Sequence, residues 1–149
     1  MAPTIKRTHF ELGGKAPVIV LEDADIEAAV AAIAEGGYYN AGQDCTAACR
    51  VYAHASVHDR LVAELQSAIE AISMGDPAQP GTQLGPLITA RQRDRVDGFV
   101  ARAAADTPAE IVTGGYAPEG PGFFYAPTLI AGARHTDEIV QKEVFGPVV

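Results

Sequence analysis

Apolar and polar positions change period several times along the chain, and each change marks an element. From Lys6 to Leu12 they alternate, with Thr8, Phe10 and Leu12 on one face, and after Gly13-Gly14 the run from Ala16 to Leu21 is short, apolar and β-branched. Such patterns predict two strands, the second buried. Asp23 then predicts a helix N-cap, with Asp25 and Glu27 in the first turn and Ile26, Ala29, Val30 and Ile33 at helical spacing. Gly36-Gly37 is expected to loosen that helix before Tyr38, and Gly42 to end what remains of it.

Alternation returns at Arg50 to Ala55, a third strand. Ser56-x-x-Asp59 follows as a capping-box variant, opening a helix through Val57, Leu61, Val62, Leu65, Ile69 and Ile72. Met74 to Ile88 holds Pro77, Pro80 and Pro86 with Gly75, Gly81 and Gly85, which reads as a long loop, a lid or docking surface. Thr89-x-x-Gln92 caps the next helix, whose apolar face is Val96, Phe99, Val100 and Ala103, and Thr107-Pro108 stops it. Glu110 to Thr113 reads as a short strand, Phe123 to Ile130 as another broken at Pro127, and Thr136 as the cap of a short helix through Val140. Val144 to Val149 reads as the start of a buried strand that is not finished. Strands alternating with helices predict an α/β domain.

Composition narrows the function. The 149 residues are the size of one domain able to bury a real core. A balance of 11 basic against 19 acidic residues, net −8, repels nucleic acid and anionic membrane surfaces. No apolar run approaches membrane-spanning length. Two cysteines and no cationic leader followed by an apolar core point to a reducing, cytoplasmic setting.

Candidate chemistry centres on Tyr38 to Thr46, where Cys45 sits on a glycine-relaxed turn at the end of an amphipathic segment. A thiol ionises near pH 8.5, and the thiolate fraction present at neutral pH is intrinsically nucleophilic. The ordinary alternative is a small buried hydrophobe. Glu11, between Phe10 and Leu12, is the candidate general base: either it faces water, the ordinary case for a surface carboxylate, or partial desolvation raises its pKa and suits it to act as a base. Gly13-Gly14-Lys15 is a turn and not a phosphate-binding loop, because His9 stands where that loop needs glycine and Ala16 where it needs Ser or Thr. Cys45, Cys49, His54 and His58 are four potential zinc ligands, but their spacing is too short for a finger and a strand would turn His54 away, so no metal site is expected.

Three motifs in order, Glu11-Leu12-Gly13-Gly14-Lys15, Asn40-x-Gly42-Gln43-x-Cys45 and Gln141-Lys142-Glu143-Val144-Phe145-Gly146-Pro147, resemble those of the NAD(P)-dependent aldehyde dehydrogenase superfamily. The stretch from Asn40 to Arg50, with Asp44 before the cysteine, is most similar to 4-aminobutyraldehyde dehydrogenases. The resemblance implies that Cys45 attacks the aldehyde carbonyl, its own N–H helping to hold the oxyanion, and that Glu11 activates the water that hydrolyses the thioester. It further implies that Glu143 binds the nicotinamide ribose, Phe145 packs beside it, Leu12 touches the nicotinamide amide, and Tyr39, Asp44 and Thr46 line the substrate pocket. Asp44 would attract an aldehyde bearing an ammonium group.

Family members are considerably longer. The resemblance therefore implies a partial catalytic domain in a three-layer arrangement over residues 1–149, without the NAD-binding domain or the C-terminal part. The expected cofactor of the parent enzyme is NAD or NADP, with none bound by this chain alone. A small aldehyde is the expected substrate, and open sheet edges predict a homo-oligomer. The competing expectation is a non-enzymatic, dehydrogenase-like interaction domain with an unreactive Cys45.

Overall fold

The computed structural model describes residues 5–149. Two strands, β1 (Pro17–Val20) and β2 (Arg50–Ala53), pair in parallel with Val20 opposite Ala53, and the pairing continues where His54 N donates to Val20 O at 2.8 Å. Between them in sequence lies helix α1 (Ile26–Tyr38) with a 3-10 turn over Tyr39–Gly42. Helices α2 (Ala55–Glu70) and α3 (Ala90–Asp106) follow, then β3 (Glu110–Thr113) and β4 (Leu129–Ala131), an antiparallel pair with an irregularity between Ile111 and Thr113. A single-turn helix α4 (Glu138–Gln141) precedes the last segment. The class is α/β as expected, with the strands in two separate pairs.

Helix α1 begins later than the sequence pattern suggests: Asp25, not Asp23, is the cap, its Oδ1 accepting from Ala28 N at 3.1 Å. It also runs straight through Gly36-Gly37. Those glycines serve packing, since a Cβ on Gly37 would stand 2.5 Å from Val149 Cγ2 and one on Gly36 3.4 Å from the Ala48 methyl. Close approach outweighs the intrinsic helix cost of glycine, roughly 1 kcal/mol per residue.

Helix α2 buries Leu61, Leu65 and Ile69, a stripe at i, i+4, i+8. Its cap is the His54 ring, with Nδ1 accepting from Ser56 N, two residues earlier than the expected Ser56 box. Helix α3 has the expected cap and face: Thr89 Oγ1 accepts from Gln92 N at 3.2 Å, and Val96, Phe99, Val100 and Ala103 are buried. Burying each large apolar side chain is worth about 1.5–3 kcal/mol.

Other expectations fail for local reasons. Lys6–Leu12 is not a strand; it is exposed, irregular chain with no partner strand among the described residues to complete its ladder. The β1 strand is not buried on both faces, for Ile19 is 68% exposed and only Val20 is buried. The Phe123–Ile130 strand shrinks to Leu129–Ala131, because Pro127 lacks an N–H and its carbonyl lies against Gly114, where a Cβ would come within 2.2 Å. Asp137, not Thr136, caps α4. The final segment, by contrast, begins to pair as expected, through a parallel bridge between Thr128 and Val148. Met74–Ile88 is a loop as expected, closed on itself by a bridge between Met74 and Leu84 and anchored by buried Leu84 and Leu87.

Thr128 joins the two halves of the core. It is fully buried, and its polar groups are paired: Oγ1 donates to Ala126 O and accepts from Gly115 N, N donates to Pro147 O, and O accepts from Tyr38 Oη at 2.7 Å and from Val149 N at 3.1 Å. Full pairing is what makes a buried polar residue tolerable. The Tyr38 bond ties the end of α1, just before the Cys45 turn, to the β3–β4 half.

Candidate active site

Three sequence-distant segments meet around one open cleft of about 550 Å³: Glu11–Gly13, Asn40–Cys45 and the Glu143 to Phe145 stretch, with Gln92 and Arg95 of α3 beneath. The turn that carries Cys45 is built from three successive left-handed residues, Asn40 (φ 50°), Ala41 (φ 55°) and Gly42 (φ 67°). Glycine is required at the third, where a Cβ would lie 2.0 Å from Gly146 O. Asn40 tolerates the conformation and fastens it: its Nδ2 donates to Gln43 O at 3.0 Å, while Gln43 N and Nε2 both donate to Asn40 O. Gln43 Oε1 in turn accepts from Ile88 N, docking the long loop beside the turn.

Gly13-Gly14, expected as a turn, forms none; the pair runs as irregular chain between Cys45 and Glu143 into β1. A Cβ on Gly14 would stand 2.0 Å from Cys45 O, and one on Gly13 2.6 Å from Glu143 Oε2. Glu143 Oε1 accepts from Gly14 N at 2.8 Å. Glycine here is a matter of room, because backbone and carboxylate press directly on it. Burial holds the ammonium of the following Lys15 below its ordinary pKa, with neighbouring Arg50 adding to that and Cys49 and Glu143 opposing it.

The Glu143–Phe145 backbone is held from α3. Gln92 Nε2 donates to Val144 O at 3.1 Å and Phe145 O at 2.8 Å. Arg95 donates from Nη2 to Glu143 O at 2.6 Å and from Nη1 to Val144 O, its guanidinium lying 4.8 Å from the Phe99 ring centroid. This grip supports Phe145 at φ 57°, a conformation that costs a non-glycine residue on the order of 1 kcal/mol or more.

Cys45, Glu11, Leu12, Asp44, Glu143 and Phe145 all line the cleft. Tyr39, 68% exposed, and Thr46 stand outside its lining. Cys45 is half-buried. Glu11 faces water, its side chain 77% exposed and its Oε1 2.6 Å from His9 Nε2. Asp44 Oδ1 accepts from both the N and Oγ1 of Thr46 at 2.7 Å, and these bonds hold its carboxyl below the usual carboxylate range. The four residues considered as zinc ligands separate: Cys45 lines this cleft, His54 caps α2, and Cys49 and His58 line a different groove. Sequence reading missed Gln92, taken only as a cap, and Arg95. The available signal was their i, i+3 spacing on the polar side of an otherwise apolar-faced helix.

The sequence profile of the Aldehyde dehydrogenase family matches residues 1–149. The chain belongs to the aldehyde dehydrogenase family. It is 43% identical to lactaldehyde dehydrogenase of Escherichia coli over 149 residues, covering 99% of this chain and 31% of that one. It is 38% identical to betaine aldehyde dehydrogenase 1 of Rhizobium meliloti over 151 residues, again with 99% and 31% covered. The crystal structure of the E. coli lactaldehyde dehydrogenase superposes with a TM-score of 0.89 at 45% identity over 93% of this chain and 29% of that one. An NAD+ complex of aldehyde dehydrogenase from Bacillus cereus superposes with the same TM-score at 35% identity, over 93% and 28%. The chain thus spans less than a third of the length of these aldehyde dehydrogenases. No helix among the described residues is long and apolar enough to cross a membrane.

Proposed function

We propose that this chain is part of the catalytic domain of an aldehyde dehydrogenase and carries its acyl-transfer residues. The observation behind this reading is the cleft, in which Cys45, Glu11 and Glu143 converge from three segments around the Gly13-Gly14 pair, where a Cβ on Gly14 would press on the Cys45 backbone. In this reading the Cys45 thiolate bonds to the aldehyde carbon, and the carbonyl π electrons move to oxygen to give a thiohemiacetal. Loss of hydride leaves a thioester on Sγ. Glu11 then takes a proton from water as the water oxygen bonds to the acyl carbon, the C–S bond breaks, and a carboxylic acid departs. Glu11 lines the cleft but is 77% exposed, the ordinary alternative rather than the desolvated case, so its role here rests on the motif and on its place beside Cys45.

NAD or NADP, when bound, supplies the hydride acceptor. Glu143 and Phe145 are the residues here that would hold its nicotinamide ribose, with Leu12 alongside. The fit is supported by the fixed backbone of that segment and by Glu143 Oε2, which lies against the Gly13 cradle while Oε1 is bonded to Gly14. Asp44 beside Cys45 supports an aldehyde with a cationic group, of the amino-aldehyde kind. The residues 1–149 lack a glycine-rich dinucleotide fingerprint, so the purified chain is expected to show thiol and weak esterase chemistry without aldehyde-dependent NADH production.

The test is intact mass after brief iodoacetamide treatment from about pH 5 to 9, comparing Cys45→Ser and Cys49→Ser. Alkylation at Cys45 with an apparent pKa well below about 8.5, with Cys49 inert, is the expected result. Two cysteines reacting alike, or neither reacting until the protein unfolds, would favour the interaction-domain reading instead.

A further inference from the structure

The turn before Cys45 is strained, and its own middle residue does nothing to hold it. Asn40, Ala41 and Gly42 are all left-handed, and only the third is glycine. That conformation is costly for a residue with a Cβ, and the Ala41 methyl has no polar atom with which to fasten it. Asn40 and Gln43 supply the hold between them. Asn40 Nδ2 donates to Gln43 O at 3.0 Å, and Asn40 O accepts from Gln43 N at 3.2 Å and from Gln43 Nε2 at 3.1 Å. These bonds close across the left-handed residues, two positions before Cys45.

The same carboxamide also reaches outward. Gln43 Oε1 accepts from Ile88 N at 3.0 Å, across 45 positions of sequence. Asn40 O can only accept and Ile88 N can only donate, so the two partners fix which way the amide faces. A flipped amide would set oxygen against N–H's place at neither end: oxygen would meet oxygen, and NH2 would meet N–H. The side chain here must therefore donate at one end and accept at the other. Glutamate keeps the accepting end alone, and methionine keeps neither.

Ile88 is the entry to α3. Leu87 before it is anchored by burial and by its N–H to Phe123 O at 3.0 Å, whereas the Ile88 side chain is 74% exposed. Thr89 follows as the cap of α3, and one turn on Gln92 donates to Val144 O and Phe145 O. Gln43 and Gln92 line the same cleft as Cys45 and Glu143. Two glutamine side chains and one helical turn thus join the cysteine turn to the segment that carries Glu143.

We propose that Gln43 is a positioning residue for Cys45. Through Nε2 it holds the turn that presents the thiol, and through Oε1 it ties that turn, by way of Ile88 and the start of α3, to the backbone of Glu143 and Phe145. The inference rests on the reading of Cys45 as the nucleophile and of Glu143 as a cofactor-holding residue. It adds a second link between them, on the α3 side, to the one that Gly14 makes.

The test compares two reactions of Cys45 in the whole chain, each followed by intact mass with Cys49 replaced by serine. Acylation by p-nitrophenyl acetate joins sulfur to the carbonyl carbon through a tetrahedral oxyanion, then releases p-nitrophenolate; alkylation by iodoacetamide forms no oxyanion. Both consume thiolate, so their rate ratio cancels ionisation and reports how the turn presents the thiol. Gln43→Met should lower the ratio roughly three- to tenfold, the scale of one or two neutral hydrogen bonds, and quicken amide exchange at Ile88. Gln43→Glu should lower the ratio while leaving Ile88 protected, which separates the two ends of the amide. Gln92→Ala should also lower it, and that effect should at least halve in the Gln43→Met background. A parent ratio no higher than that of Cys49, measured in the Cys45→Ser chain, would overturn the reading of Cys45 and this proposal with it. A high parent ratio that Gln43→Met leaves unchanged would overturn the proposal alone, since packing of Gly42 on Gly146 would then suffice to hold the turn. A Gln92→Ala effect of equal size in both backgrounds would overturn the link through Ile88.

Discussion

Gly14 N donates to Glu143 Oε1 at 2.8 Å, across 129 positions of sequence, while the other side of Gly14 faces Cys45 O. One residue thus sets the spacing between the candidate nucleophile and the candidate ribose-binding carboxylate.

Gly14→Ala should therefore disturb both. Its Cβ would lie 2.0 Å from a backbone oxygen, which cannot rotate away as a flexible side chain would. Overpacking of this kind costs on the order of 1–3 kcal/mol, lowering the thermal midpoint by several degrees. Cys45 should also lose its preferential alkylation over Cys49. A variant that melts and alkylates like the parent would show that this segment yields and that the spacing is not fixed by Gly14.

The buried tyrosines set an alkaline limit. Burial raises the Tyr38 hydroxyl well above its ordinary 10.0, and burial together with Asp97, 3.2 Å from its oxygen, raises Tyr125. Their contribution is fully present below pH 10.0 and is lost as pH climbs from there through the higher folded-state values. Lys15 acts in the opposite sense: its folded pKa is depressed by burial, so its penalty disappears as pH rises toward 10.5. Urea midpoints at about pH 8 and about pH 11 should fall for the parent chain, and fall less for a Tyr38→Phe, Tyr125→Phe double variant. At the lower pH, Tyr38→Phe alone should cost only about 1 kcal/mol, because Thr128 O keeps its second donor, Val149 N.

How far these features were legible in the sequence depends on whether their cause is local. The faces of α2 and α3, and the Thr89 cap, follow from spacing and side-chain chemistry within one turn, and they hold. Gly36-Gly37 misled because its reason lies in Ala48 and Val149, far along the chain. The same applies to the site. Cys45 and Glu143 stand in recognisable motifs, whereas Gln92 and Arg95 act on carbonyls about fifty positions away, and carbonyls leave no trace in sequence. Glu11 alternates with apolar neighbours, yet it is exposed on a segment that pairs with no strand among the described residues.

Asp44 should tune reagent charge at Cys45 rather than thiol reactivity in general. Thr46 engages one of its oxygens and keeps the carboxylate ionised. Asp44→Asn should lower the rate of Cys45 modification by a trimethylammonium-bearing methanethiosulfonate roughly two- to fivefold at low salt, the scale of a solvent-screened charge pair. Modification by the neutral methyl reagent should be unchanged. Equal slowing with both reagents would remove the basis for a cationic substrate.

Arg95 supplies the last prediction. It binds two successive carbonyls, those of Glu143 and Val144, with one planar fork, while Gln92 independently holds Val144 and Phe145. Arg95→Ala removes charge-assisted bonds worth about 1.5–3 kcal/mol but leaves the glutamine pair, so the segment should loosen without detaching. Amide exchange over residues 143–146 is expected to quicken roughly tenfold or more, with little change in β1 or β2. Arg95→Lys should recover little, because an ammonium presents no fork and cannot span both oxygens while stacking on Phe99. Adding Gln92→Ala should exceed the sum of the single effects, since nothing from α3 would then hold Phe145 at its positive φ. Strict additivity would mean that the two side chains act on separate stretches, and that the backbone of Phe145 keeps its conformation without them.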